Sequence, residues 1–236
     1  MRPNRRYVND MIIEELSQRW DDTLSECNFL RRPRSLKYVR QFGDAFQELE
    51  FVFQMSPNFA PGALAHILPR VRIRLGSVNE LAAKIAGDDP GYAPMNKEWT
   101  YGTNATNLGT IRHQREMVMY DRESLVALLE VLLTQFELYF RPFLDQCMSP
   151  LGLTDLFESK AIPMSGAPGV IRMGAAYLLQ GRTGEANDLW KKRLDLPGLQ
   201  ILYPRSIAYS RSLGLSTRRG DDLDVLLTDT GASGAQ

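Results

Sequence analysis

The chain carries little that could do metal or nucleophile chemistry. It has only two histidines and two cysteines among 236 residues. His66 and His113 fall on different predicted strands, and no HxH, HxxxH or HExxH spacing joins them, so they give a metal site nothing to build on. Cys27 and Cys147 share no metal-ligand spacing either. Both fall on apolar helix stripes or helix ends, where buried, reduced, inert thiols are expected. The sequence contains no G-x-S-x-G elbow, no phosphate-binding loop and no GxGxxG. No cofactor and no metal is therefore implied. Gly166-Ala167-Pro168-Gly169 is glycine-rich, but its proline and its lack of a lysine mark it as a linker.

Long apolar runs are missing as well. No stretch approaches the ~18 residues a membrane span requires. The start, MRPNRRYVND, is basic but lacks the apolar core of a secretory signal. The expectation is a cytoplasmic protein without membrane contact. Net charge is also absent, since 28 basic residues balance 28 acidic ones. Proteins that grip nucleic acid usually carry a clear positive excess, so nucleic acid is disfavoured as a partner. Low net charge also leaves little electrostatic resistance to self-association.

The strongest pattern that is present runs from Phe46 to Leu75. In FQELEFVFQM, Leu49, Phe51, Phe53 and Met55 fall on one face, with Glu48, Glu50 and Gln54 on the other. In PRVRIRL, Val71, Ile73 and Leu75 alternate with Arg70, Arg72 and Arg74. Side chains on a strand repeat every two residues, so each segment reads as a strand with one apolar and one charged face. SPNFAPG joins them as a loop. Pairing the two strands sets a row of arginines beside a row of glutamates. SLKYVRQF reads as an earlier strand, turning into the Phe46 strand at Gly43-Asp44. Ile111 to Tyr120 reads as a fourth strand.

Helices surround this sheet. Residues 1–8 read as a basic arm. A first helix is expected from Asn9 to Cys27, with Ile13, Leu16, Trp20, Leu24 and Cys27 as its stripe and Asn9 or Asp10 as its cap. Ser77-Val78-Asn79-Glu80 has the form of a capping box opening a short helix that ends at Gly87. Asp121 opens the strongest helix. Its stripe of Leu125, Leu128, Leu129, Leu132, Phe136, Phe140 and Phe143 should cover the apolar side of the sheet. Burying five such side chains is worth roughly 8–15 kcal/mol before chain entropy is subtracted. Pro142 should kink or end that helix. Ser149-Pro150-Leu151-Gly152 reads as a breaker. AAYLLQGRTGEANDLWKKRL follows as a helical hairpin turning at Gly181 to Gly184, with Thr183 as its cap. The expected fold is α+β, a mostly antiparallel sheet of about four strands packed on a long helix, with a C-terminal helical appendage. The expected divisions are a core at 1–148, a helical extension at 149–215 and a disordered tail at 216–236.

Two features could carry a function. One is the charged sheet face, with Arg70, Arg72, Arg74, Glu48 and Glu50. The other is the basic loop and strand RRPRSLKYVR, with Arg31, Arg32, Arg34 and Lys37. Glu48 and Glu50 lie roughly 7 Å apart by strand rise, a spacing that could suit acid–base catalysis. Arginines opposite them would keep both ionised, and cross-strand charge pairing is the plainer role. The basic loop could dock an acidic partner, or simply protect a sheet edge from pairing with other chains.

The helix ending in Cys27-Asn28-Phe29, the strand Leu49–Ser56 and the Trp99 segment together resemble uncharacterised bacterial α+β domains of the immunity-protein type. The resemblance covers residues 9–146 and supplies no functional residues. It implies a non-enzymatic module that binds another protein and inhibits it. Two further readings stand beside this one. The first is a hydrolase or transferase built from Glu48, Glu50 and His66. The second is an assembly protein that forms a homo-oligomer through the long helix or the C-terminal hairpin.

Overall fold

The computed structural model describes residues 3–87, 98–104, 107–108, 117–163 and 166–194. His113, most of the expected Ile111–Tyr120 strand and the expected 216–236 tail lie outside them. The sheet is antiparallel throughout and runs β1 (Leu30–Arg31), β2 (Lys37–Phe42), β3 (Ala45–Met55), β4 (Ala65–Leu75) and β5 (Tyr101–Asn104), with β6 (Val118–Met119) also on β4. The α+β class, the antiparallel sheet and the long covering helix are as expected. The strands outnumber the four expected because β1 and β5 are too short to leave a periodic signal, while β6 is the described end of the expected Ile111–Tyr120 strand.

The hairpin between β2 and β3 turns at Gly43-Asp44, with Phe42 opposite Ala45 and Gly43 at φ 55°. A left-handed backbone suits glycine there. The β3–β4 pair is in register from Ala45↔Leu75 to Met55↔Ala65. It turns Leu49, Phe51, Val71, Ile73 and Leu75 into the core. Pro69 sits in the middle of β4, where a central strand normally rejects proline. The Ile67 N–H donates to the Met117 carbonyl on the side of β4 away from β3. Position 69 therefore points the same way. It falls between the β6 partners at residues 65–66 and the β5 partners at 70–73, so its missing N–H breaks no ladder bond.

Helices cover the apolar face. α1 (Arg5–Arg19) begins four residues earlier than the expected Asn9 start, and its cap is Asn4, which accepts from the Tyr7 N–H. The basic arm is thus the first turn of a helix. Its buried stripe is Val8, Met11, Ile12, Glu15 and Leu16, and Ile13 lies beside it. The helix breaks at Trp20 before α2 (Asp21–Glu26). α4 (Arg122–Gln135) opens with Asp121 and Ser124 bonded reciprocally, and the stripe from Leu125 to Phe143 is buried. Pro142 does not end the helical run but lies in the first turn of its last segment. A π-helical turn, Phe136–Phe140, leads into α5 (Arg141–Gln146), and the Arg141 N–H reaches back to the Phe136 carbonyl. The wide turn takes up an extra residue and keeps Phe136 and Phe140 on the core side.

Three expected boundaries are corrected. α3 (Gly76–Ala86) has no capping box of its own. Asp44 in the β2–β3 turn caps it from a distance, accepting from the Ser77 N–H at 2.9 Å and the Ser77 hydroxyl at 2.6 Å. Ser149-Pro150-Leu151-Gly152 does break the long helix, but it also starts α6 (Pro150–Glu158), with Ser149 as cap and Pro150 in the first turn. The 166–169 segment is no linker. It opens α7 (Gly166–Leu178), which is buried without interruption from Val170 to Leu178. α8 (Thr183–Leu194) returns along it as the expected hairpin. The Trp190 indole lies where a Cβ on Gly174 would be, so α7 and α8 approach closely. α7 also packs on α3, and the apolar core runs unbroken from Val8 to Trp190.

Asp44→Ala should remove the remote cap. The expected loss is about 1 kcal/mol in urea unfolding, with α3 the helix whose amide exchange rises first.

Candidate functional site on the polar face of the sheet

The strand register lays out the face opposite the helices as a grid. Val39, Glu48, Arg72 and Gly102 form one row across β2 to β5. Lys37, Glu50, Arg70 and Asn104 form the next, and Gln41, Phe46 and Arg74 the one before. The four charges at the centre form a closed cluster. Arg72 reaches Glu48 at 3.2 Å and Glu50 at 3.1 Å, and Lys37 reaches Glu48 at 3.4 Å and Glu50 at 3.1 Å. The side chains of Glu48 and Glu50 are only 8% and 18% exposed, so both carboxylates are largely removed from water. Two cations facing two anions offset that desolvation.

Register and pairing do not coincide. Arg70 stands directly opposite Glu50, yet the diagonal neighbour Arg72 takes both carboxylates. Arg70 and Arg74 make no ion pair among the described residues. Arg74 lies over the Phe46 ring at 5.2 Å. Phe46 in turn stacks on Trp99 at 5.8 Å, and Arg72 lies 5.5 Å from the Trp99 ring centre. Trp99 is held by its neighbours in the chain. Glu98 binds Arg172 of α7 at 2.6 Å, and its carbonyl accepts from Asn79 of α3. The Thr100 hydroxyl donates to Asn79 and accepts from the Leu75 N–H. The aromatic edge of the face is therefore fixed by α3 and α7.

The expected basic patch is divided. Arg31 lies on the helix side of the sheet with Tyr38, where it grips Asp21 through two bonds of 2.8 and 2.7 Å and also meets Ser17. The Tyr38 hydroxyl donates to the same carboxylate at 2.7 Å. The Arg31 guanidinium holds the Asp21 carboxyl below its usual range, and burial pushes the Tyr38 phenol up. Arg32 and Arg34 are exposed, and Arg34 lines a shallow depression with Arg6, Asp10, Ile13 and Glu14 of α1. Of this group only Lys37 reaches the polar face.

The catalytic grouping does not assemble. His66 is buried opposite Gln54 and edge-on to Phe59 at 5.0 Å. Four residues separate Gln54 from Glu50, which is about 13 Å of strand. Both cysteines are free and buried, and burial raises both thiols, Cys147 far more than Cys27. Among the described residues no cluster of metal-ligating side chains occurs.

Two buried charge sites escaped the sequence reading. Arg40 faces the helices, donating to Gln47, to the Cys27 carbonyl and to Asp145 at the end of α5, and it lies over Phe29. Its signal is the alternation KYVRQF, which puts Arg40 on the Tyr38 side. Glu15, also buried, binds Arg19 and Arg122 and so ties α1 to α4. Nothing local marks it except its place on the stripe.

Comparison with protein-family models, with curated proteins and with solved structures finds no match to the chain.

Arg72→Ala should leave two buried carboxylates facing Lys37 alone and cost roughly 2–4 kcal/mol of unfolding free energy. Arg70→Ala should stay within about 0.5 kcal/mol. A second check uses pH. The folded Asp21 carboxyl titrates below its unfolded value of about 3.9, so its stabilisation is present above that pH and fades as pH falls below it. Asp21→Asn should therefore be less stable than the parent at pH 7, with the gap narrowing below about pH 4 in paired thermal melts.

Proposed function

We propose that this protein works by binding an acidic segment of another protein on the polar face of its sheet. The supporting observation is the charge balance of that face. Glu48 and Glu50 are matched by Arg72 and Lys37, which leaves Arg70 and Arg74 without an ion pair among the described residues, Arg74 over the Phe46 ring of the Phe46–Trp99 stack and Arg70 four residues along the strand. One guanidinium group on an aromatic edge and a second further along the same strand suit carboxylates interleaved with apolar side chains. Lys37 and Arg72 also orient the surface, because the cluster they close cannot collapse onto an incoming acid. An inhibitor of that partner is the finer form of this reading, and it rests on the immunity-type resemblance alone.

The test titrates a labelled peptide of alternating Asp and Leu residues, with a Ser–Leu peptide as control. Micromolar binding to the acidic peptide is expected, weakened about tenfold by Arg70→Glu/Arg74→Glu and by raising salt from 50 to 300 mM. Arg32→Ser should leave it unchanged. Equal binding of both peptides, or affinity that ignores the double substitution, would count against the reading.

A further inference from the structure

The chemistry that suits the polar face also occurs in the chain's own sequence. Residues 221–229, DDLDVLLTD, set four aspartates around Leu223, Val225, Leu226 and Leu227. No lysine or arginine follows Arg219. Residues 220–236 therefore carry four negative charges, while residues 1–219 hold 28 basic against 24 acidic side chains. The neutral chain is thus a positive body with one short acidic and apolar stretch.

The sheet offers the complement. Arg70 and Arg74 make no ion pair among the described residues. Arg74 is exposed over the Phe46 ring, on which the half-buried Trp99 stacks. Four residues separate the two arginines, about 13 Å of strand. Nine residues cover that distance even as a helix, at about 1.5 Å each, and more when extended.

The stretch can also reach the face. α8 ends at Leu194, one turn past Trp190. Trp190 lies against Gly174 of α7, and two residues before Gly174 stands Arg172, which binds Glu98, the neighbour of Trp99. The end of α8 is therefore close to the aromatic edge of the face. Residues 195–220 lead from there to Asp221, and each can span up to about 3.3–3.6 Å.

We propose that residues 221–229 dock on the polar face of their own chain and hold it closed to other acidic segments. The inference rests on the reading of that face as a site for acidic segments. A segment on the same chain meets its site at an effective concentration of about a millimolar. Modest intrinsic affinity then keeps the face occupied, and a partner must displace the segment to bind.

Acrylamide quenching of the full chain reads this directly, because Trp20 and Trp190 are buried and only Trp99 is partly exposed. Changing the four aspartates together (Asp221→Asn, Asp222→Asn, Asp224→Asn, Asp229→Asn) should raise the quenching constant about twofold. Arg70→Glu/Arg74→Glu should do the same, and combining the two sets should add nothing further, since both break one contact. Arg32→Glu/Arg34→Glu removes as much positive charge elsewhere and should change nothing. The asparagine variant should also bind the Asp–Leu peptide about tenfold tighter than the parent. Quenching that ignores the asparagine changes overturns the proposal. So does parent quenching that falls as protein rises from about 1 to 100 µM, the mark of segments crossing between copies. A peptide that binds parent and variant alike, yet still needs Arg70 and Arg74, removes the self-docking and leaves the acidic-segment site standing. A peptide that binds neither form removes both.

Discussion

The eleven-residue pairing of β3 with β4 sets everything else in this molecule. It decides which side of each strand meets the helices. A slip of β3 by one position against β4 would carry Leu49 and Phe51 to the polar side and drive Glu48 into the core. The two penalties reinforce one another, so the register is held from both faces. On one side α1 and α4 cover the aliphatic and aromatic rows. On the other, four charges close on each other.

That closure divides the polar face into a structural part and an available part. Arg72 spans both carboxylates by reaching diagonally, and Lys37 completes the set from β2. Arg70 and Arg74 have the same chemistry and alternate with Arg72, but their surroundings differ. One faces a carboxylate already taken and the other lies on an aromatic ring. Three arginines in one alternating run thus hold two kinds of position, and only geometry separates them.

Much of the fold was legible because its signals are local. The period of two in β3 and β4, the Gly43-Asp44 turn and the Asp121 cap each sit within a few residues of what they specify. What was missed depends on distant partners. Asp44 caps α3 from the end of the neighbouring strand, so Ser77 and Glu80 looked like a capping box that the chain does not use. Asn4 lies inside what read as a basic arm, because two arginines in the first turn of a helix hide its start. Pro142 could be placed but not its accommodation, which needs a π-helical turn that no propensity announces. The glycines near 166 resemble a linker in composition, yet the buried run from Val170 onward draws them into a helix. At the site, a row of arginines facing Glu48 and Glu50 could be seen from alternation alone. The diversion of Arg31 to Asp21 could not, since it depends on where α2 lands.

The central claim is that Arg72 serves the carboxylates while its neighbour Arg70 is left over. Two double-mutant cycles on unfolding free energy test it directly, one for Glu48 with Arg72 and one for the register partners Glu50 and Arg70. The account predicts a coupling above about 1 kcal/mol in the first cycle and one within error of zero in the second. A strong Glu50–Arg70 coupling, with little between Glu48 and Arg72, would contradict it.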